Sequence, residues 1–252
     1  MLRIISKHTS GLDFSIVTSE VASINDPKNQ KQIDHDVDEA IWEEMETGLR
    51  HNGKLTSNYL LLMAIGRIIA AVGFVSEVHD LVIAFIAASI IAPGLEPLAK
   101  IPLGIVLKRK DVLWTGIKAS VVGYLLLILS AGITFWLLRY FSDTTAEEFL
   151  DNKATHSLME LKLKNVIVSL VAAAASILMY LSYRRNVIAG PLIALILIPA
   201  AAAIGMSFSL GEWGYALELF KRLGVDTGLI LGTGILLIFL KQKFVHKRNP
   251  TR

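Results

Sequence analysis

The sequence predicts an all-α polytopic membrane protein: six transmembrane helices as two inverted three-helix repeats, with a small cytoplasmic α/β or α amino-terminal segment. Three observations carry this expectation. Of the 252 residues, 53% are hydrophobic and the mean hydropathy is +0.54, above the roughly 45–50% apolar usage of soluble domains. Six apolar runs cover about 58–76, 81–107, 115–138, 164–182, 186–210 and 225–241. Each is near the ~20 residues a helix needs to cross a bilayer. Basic clusters, finally, fall at alternate ends of those runs.

Charge divides the chain before any motif does. Residues 1–57 hold six Lys/Arg against ten Asp/Glu, and residues 58–252 hold nineteen against twelve. The acidic part is the polar part, so the basic excess reports membrane orientation and not nucleic-acid binding. Three regions follow: an amino-terminal segment at 1–57, a membrane domain at 58–243 and a basic tail at 244–252. No signal-peptide pattern precedes the first apolar run near Tyr59. The absence of cysteine excludes disulfides and thiolate metal sites.

In the amino-terminal segment, Leu2–Ser6 and Phe14–Val21 are short, partly alternating runs that suggest a hairpin. From Asp36 the pattern turns helical, with Val37, Ile41, Met45 and Leu49 on one face. A unit this small buries too little surface to stand alone, so it should lean on the membrane domain or on another subunit.

Orientation comes from the loops. Arg50 and Lys54 precede the first run, Lys108–Lys110 follow the second, Arg184–Arg185 the fourth, and Lys241, Lys243, Lys247 and Arg248 the sixth. The opposite connections are acidic, with Arg139, Lys162–Lys164 and Lys221–Arg222 as exceptions. Positive charge stays inside, which predicts a multi-pass protein of the cell (inner) membrane with both termini cytoplasmic. Trp114, Trp136, Tyr140, Trp213 and Tyr215 sit at run ends, as interfacial aromatics should. Thr144 with Glu147 has capping-box spacing for a short helix through Leu150. Trp213, Leu217 and Phe220 form a stripe that predicts an interfacial helix over 212–223, ending at Gly224.

The second and fifth runs carry the repeat. IAASIIAP (Ile86–Pro93) and LIALILIP (Leu192–Pro199) each place a proline about halfway along a long run, and Asp111 then aligns with Glu212. Repeats of three crossings each must be inverted relative to one another, a build common among secondary transporters. Pro93, Gly94, Pro97, Gly190, Pro191 and Pro199 are the expected helix breaks. A broken helix survives in hydrocarbon only where protein or a water-filled cavity satisfies the freed backbone.

Arg67, Glu96 and Lys100 are the candidate substrate or ion site, because ionisable groups within spans are functional candidates by default. Arg67 lies ~14 Å along its helix from Asn58, and Glu96 and Lys100 lie ~18 and ~12 Å from Lys108, at 1.5 Å per residue. These depths are similar, so an Arg67–Glu96 pair is geometrically natural. The bland reading makes that pair a buried staple with Lys100 snorkelling. The functional reading gives Arg67 or Lys100 an anionic solute, or Glu96 a proton or cation. Gly228 and Gly232 have the spacing of a helix contact, either within the chain or in a homo-oligomer, with packing inside the chain the better-favoured choice.

Three stretches together resemble a known family: SNYLLLM (Ser57–Met63), IIAPGLEP (Ile90–Pro97) and AGPLIALILIPAAAAIG (Ala189–Gly205). They are similar to the prokaryotic membrane proteins grouped as domain-of-unknown-function 389, over about residues 37–243. The chain departs from that pattern where Ala87–Ala88–Ser89 lacks a glycine, where Glu96 replaces one, and where Ala200 follows Pro199. The resemblance implies the architecture and no substrate.

No phosphate-binding glycine loop, nucleophile elbow or zinc-motif histidine spacing is present. The sequence therefore predicts no enzyme activity, no cofactor and no metal. Its expected partners are membrane lipid, a small anionic solute or ion, and a second copy of itself. Two readings remain: a secondary transporter or channel for a small solute, and a membrane-embedded scaffold or sensor whose buried charges are structural.

Overall fold

A computed structural model of the chain describes residues 54–92, 95–182 and 189–245, all within one compact unit, Asp38–Arg252. The expected hairpin, the helix from Asp36, Pro93, Gly94, the Arg184–Asn186 turn and residues 246–252 lie outside the described residues. What is described is helical, with no strand. The helices in order are α1 (Ser57–Phe74), α2 (Val78–Ile91), α3 (Leu95–Val106), α4 (Lys110–Tyr140), α5 (Ala146–Leu150), α6 (Lys153–Met159), α7 (Leu163–Leu181), α8 (Ala189–Leu210) and α9 (Trp213–Leu240), closed by a π-helical turn at Lys241–Val245. Five of them are long and apolar enough to cross a membrane, and the α2–α3 pair makes a sixth if its two axes, 51° apart, count as one bent span. These long apolar helices mark a membrane protein.

α1 and α2 form the first hairpin. Thr56 caps α1 by accepting a hydrogen bond from the Tyr59 amide at 3.2 Å. Small residues then let the two helices touch: a Cβ on Gly73 would sit 2.6 Å from Ala84 Cβ, and one on Gly66 3.0 Å from Ala92 Cβ. α8 is the centre of the bundle. It packs against α4, α9, α2, α7 and α1, and Ala200–Ala203 are fully buried. Two cores meet on it: Ala194, Ile198 and Ala201 join the α1–α2–α4 side, while Ile193 and Leu197 join α3, α7 and α9. Facing outward are large apolar side chains such as Leu61, Ile86, Leu125, Leu129, Ile133 and Leu236. A soluble monomer rarely exposes so continuous an apolar surface.

Several boundaries differ from the sequence expectation. α4 begins at Lys110, and its short successor α5 is capped by Thr145, not Thr144. Thr144 instead donates to Glu148 Oε2 at 2.6 Å. Phe149 from α5 is buried between Phe74 and Phe135, with ring centroids 5.8 and 5.6 Å away. Asn152 caps α6 and donates to the Phe74 carbonyl at 2.8 Å, tying this connection to the end of α1.

The expected interfacial helix over 212–223 is instead the first part of α9, which runs on through Gly224. The reason lies on the opposite face from the apolar stripe. Trp213, Leu217 and Phe220 point outward, while Ala216, Leu219, Arg222, Asp226 and Ile230 are buried. An Arg222–Asp226 pair one turn apart spans the glycine (Nε–Oδ2 2.6 Å). Pro199 likewise lies inside α8 and does not break it, and Pro102 lies inside α3. Pro97 and Pro191 occupy the third residue of α3 and α8, where the missing N–H has no helical partner to lose. They start helices. Gly228 and Gly232 face open space, whereas Gly234 packs on Pro102. The spacing that favoured packing within the chain is thus not used for it.

Candidate functional site

The candidate site is built where α1, α3, α4 and α8 converge on the interruption between α2 and α3. α1 buries one face, comprising Tyr59, Met63, Gly66, Arg67, Ala70 and Phe74, and Arg67 falls on it because 67 follows 63 by one turn. The neighbouring Gly66 packs on Ala92 and on the Ala88 carbonyl, so the guanidinium lies at the level of the interruption. Arg67 is 0% exposed. Its Nη2 donates to Met63 Sδ at 3.5 Å, and Nε and Nη1 have no hydrogen-bond partner.

Glu96 sits in the first turn of α3, with Oε2 buried and without a partner. A Cβ on Gly190, in the first turn of α8, would lie 3.7 Å from Glu96 Oε1. The carboxylate therefore stands between two helix N-termini, whose dipoles favour negative charge. Lys100, one turn further along α3, is 1% exposed and within electrostatic reach of Glu96. The expected Lys100 snorkelling to the interface is not what the fold does.

α4 brings these helices together through two glycines. A Cβ on Gly116 would meet Lys100 Cβ at 2.7 Å and the Pro97 carbonyl at 2.8 Å, and one on Gly123 would collide with the Tyr59 hydroxyl. That hydroxyl donates to the Ala119 carbonyl at 3.0 Å. Both Arg67 and Glu96 lie within electrostatic reach of Tyr59, and Tyr180 from α7 within reach of Glu96. The Tyr180 and Ser120 hydroxyls are buried without partners.

The fold thus gathers Arg67, Glu96 and Lys100 into one polar region, yet no hydrogen bond or ion pair joins Arg67 to Glu96 among the described residues. The pair expected from similar depth is not formed. Depth fixes only the position along the axis; the side chains leave α1 and α3 in directions that the spacing of charges does not encode.

A second buried cluster escaped the sequence reading. Arg222 and Asp226 are 6% and 1% exposed, and Arg222 Nη2 donates to Ser169 Oγ of α7 at 3.3 Å. The signal was present as opposite charges at i and i+4, but the two charges were divided between elements, Arg222 in the expected interfacial helix and Asp226 in the last apolar run. Among the described residues, no group of His, Asp and Glu is arranged to hold a metal.

A family model, Domain of unknown function (DUF389), matches residues 89–232, more than half of the chain. An uncharacterised protein of Methanocaldococcus jannaschii is 24% identical over 201 residues, covering 80% of this chain and 59% of that protein. The chain thus spans well under two thirds of that relative's length. No solved structure matches. The match takes in Glu96, Lys100, Arg222 and Asp226 alike, and by its extent this chain belongs to the DUF389 family of proteins of unknown function.

Proposed function

We infer that the protein is a secondary transporter or channel for a small anionic solute or ion, multi-pass in the cell membrane, with both termini inside. The observation that carries this reading is the separation of Arg67 from Glu96. A guanidinium stays charged in proteins, and leaving one buried with only a thioether sulfur for a partner and no carboxylate is strongly unfavourable. A staple would have closed the pair. An open pair at a broken helix is what a site needs if a mobile anion is to bridge Arg67 and Lys100. Protonation of Glu96 would remove the resident competitor for those cations and for the two helix N-termini.

The inverted repeat gains support from local geometry. Lys108 (φ 55°), between α3 and α4, and Gly211 (φ 77°), between α8 and α9, are both left-handed. Each is followed by the same helix-ending hydrogen bond, from the Arg109 amide to the Gly104 carbonyl in one half and from Glu212 to Ser207 in the other. Across the halves, Pro102 of α3 meets Gly234 of α9, and Gly205 of α8 meets Gly132 of α4. All of these correspond at a shift of 102–103 residues (Lys108 to Gly211, Gly132 to Gly234), which replaces both the Asp111–Glu212 and the Pro93–Pro199 alignments, at shifts of 101 and 106. Three crossings per half then make the halves inverted.

The test is flux through proteoliposomes loaded with chloride, inorganic phosphate or a small dicarboxylate. Flux of one of these, lost in Arg67→Met and in Glu96→Gln while both variants fold normally, supports the site. Equal flux in wild type and both variants, or none for any probe, returns the buried charges to a structural role in a membrane-embedded scaffold or sensor.

A further inference from the structure

A groove of about 270 Å³ runs between α6, α7, α8 and α9, walled by Asn165, Val168, Ser169, Leu195, Ile196 and Arg222. Its volume falls just below the ~300–1,000 Å³ usual for small-molecule sites, which suits a small oxyanion or part of a lipid. Two kinds of surface line it. Val168 and Leu195 are apolar and exposed, while Arg222, Ser169 and Asn165 are polar.

We propose that this groove is a second anion site, taking a phosphate group, and that it is separate from the Arg67 region. Arg222 is held for that task. Asp226 fixes Nε at 2.6 Å without itself reaching the groove wall. Nη2 donates to Ser169 Oγ, so the Ser169 hydroxyl proton remains to be given to a ligand. Nη1 is buried with no partner. The guanidinium therefore has Nε committed to a carboxylate and Nη2 to a serine, with Nη1 left unfilled, on the planar group that recognises phosphate. Asn165 Nδ2 contributes a further donor. Its present bonds, to the Ser157 and Glu160 carbonyls, are both long at 3.4 Å and near the limit of a useful hydrogen bond. The apolar wall beside these donors matches a phosphodiester with acyl chains, and the donors alone match free phosphate.

Thermal unfolding of the purified full chain in detergent separates the two sources. The probes are inorganic phosphate, a short-chain phosphatidylglycerol and a short-chain neutral diacylglycerol. A ligand that binds only the folded state raises the melting temperature with its concentration. Stabilisation by the phospholipid alone assigns a lipid headgroup, and stabilisation by phosphate as well admits the free ion. Either should weaken by about tenfold or more in Ser169→Ala/Asn165→Ala, as expected for lost hydrogen bonds to a charged ligand. Removing Arg222 alone would strand Asp226, so Arg222→Gln/Asp226→Asn is the paired control, and it should abolish the shift. The proposal is overturned if neither phosphate probe shifts the transition, if the diacylglycerol does so equally, or if both variants respond like wild type.

Discussion

Two buried arginines in one membrane domain have been treated differently by the fold. Arg222 meets its carboxylate one helical turn away and a serine on the next helix. Arg67 meets a methionine sulfur, and its nearest acidic candidate, Glu96, points at Gly190 instead. Burial is similar, so solvent does not explain the difference. Arg222 and Asp226 are on one helix, where geometry closes the pair without help from the rest of the chain. Arg67 and Glu96 are on different helices, separated by an interruption, and their approach depends on the arrangement of the whole site. A locally closed pair holds by itself; on the proposed reading, a pair split across a break is open to exchange partners.

The largest expected effect tests the closed pair. Asp226→Ala should lower stability by about 3–5 kcal/mol, the usual result of stranding one member of a buried pair, whereas Glu96→Gln should change it by under about 1 kcal/mol because no side-chain pair is broken. Thermal unfolding of both variants in one detergent gives the ratio directly, and equal losses would erase the contrast. Next, Arg67→Met removes a buried charge whose one hydrogen bond is to a methionine sulfur, and should leave stability unchanged or raise it by about 1–4 kcal/mol, while any flux disappears. A destabilised Arg67→Met would mean that the arginine has a carboxylate partner in the membrane.

Smaller effects come from the helix crossings. Gly205→Ala drives a Cβ into the Ile128 carbonyl and should cost about 1–3 kcal/mol. Gly234→Ala meets the Pro102 ring at 2.9 Å and should cost less, since a ring can shift where a helix backbone cannot. Unfolding midpoints for the two alanine variants check the order. The smallest effect lies outside the membrane helices. A hydrogen bond from Lys162 holds the Glu160 carboxyl below its usual range. A lowered folded value gives stability that is present above the unfolded carboxylate value and lost as pH falls through the folded one. Both side chains are more than half exposed, so Glu160→Gln should give the same melting temperature as wild type across the acid range.

The helices and their approximate ends were legible because an apolar run of crossing length is seldom anything but a membrane span. Arg67 was legible as a buried candidate too, because an ionisable group in the middle of a span is costly against lipid. The extent of α9 was not. Trp213, Leu217 and Phe220 looked like the buried stripe of a surface helix, yet in a membrane protein the apolar face turns outward and the charged face inward. Reading Arg222 and Asp226 as the inward signal would have joined 212–223 to the last span. Prolines misled in a similar way. Pro97 and Pro191 open helices, and only position in the turn, which composition does not give, distinguishes them from Pro199 within α8. The missing Arg67–Glu96 bond was beyond any one-dimensional argument, because it depends on the directions in which the side chains leave α1 and α3.

The crossing at Gly205 has a mechanical side. With a Cβ excluded by the Ile128 carbonyl and the Gly132 amide 3.0 Å from the same point, α8 and α4 touch backbone to backbone, with no side chain between them to flex. Such a contact behaves as a pivot: it resists sliding and separation but permits rotation about the point of touch. Its counterpart, where Gly234 meets the Pro102 ring, has carbon atoms in between and more give. Any rocking of the helices about these contacts would therefore be asymmetric, turning about the α4–α8 seam and opening along α3–α9, the seam on whose helices Lys100 and Arg222 ride.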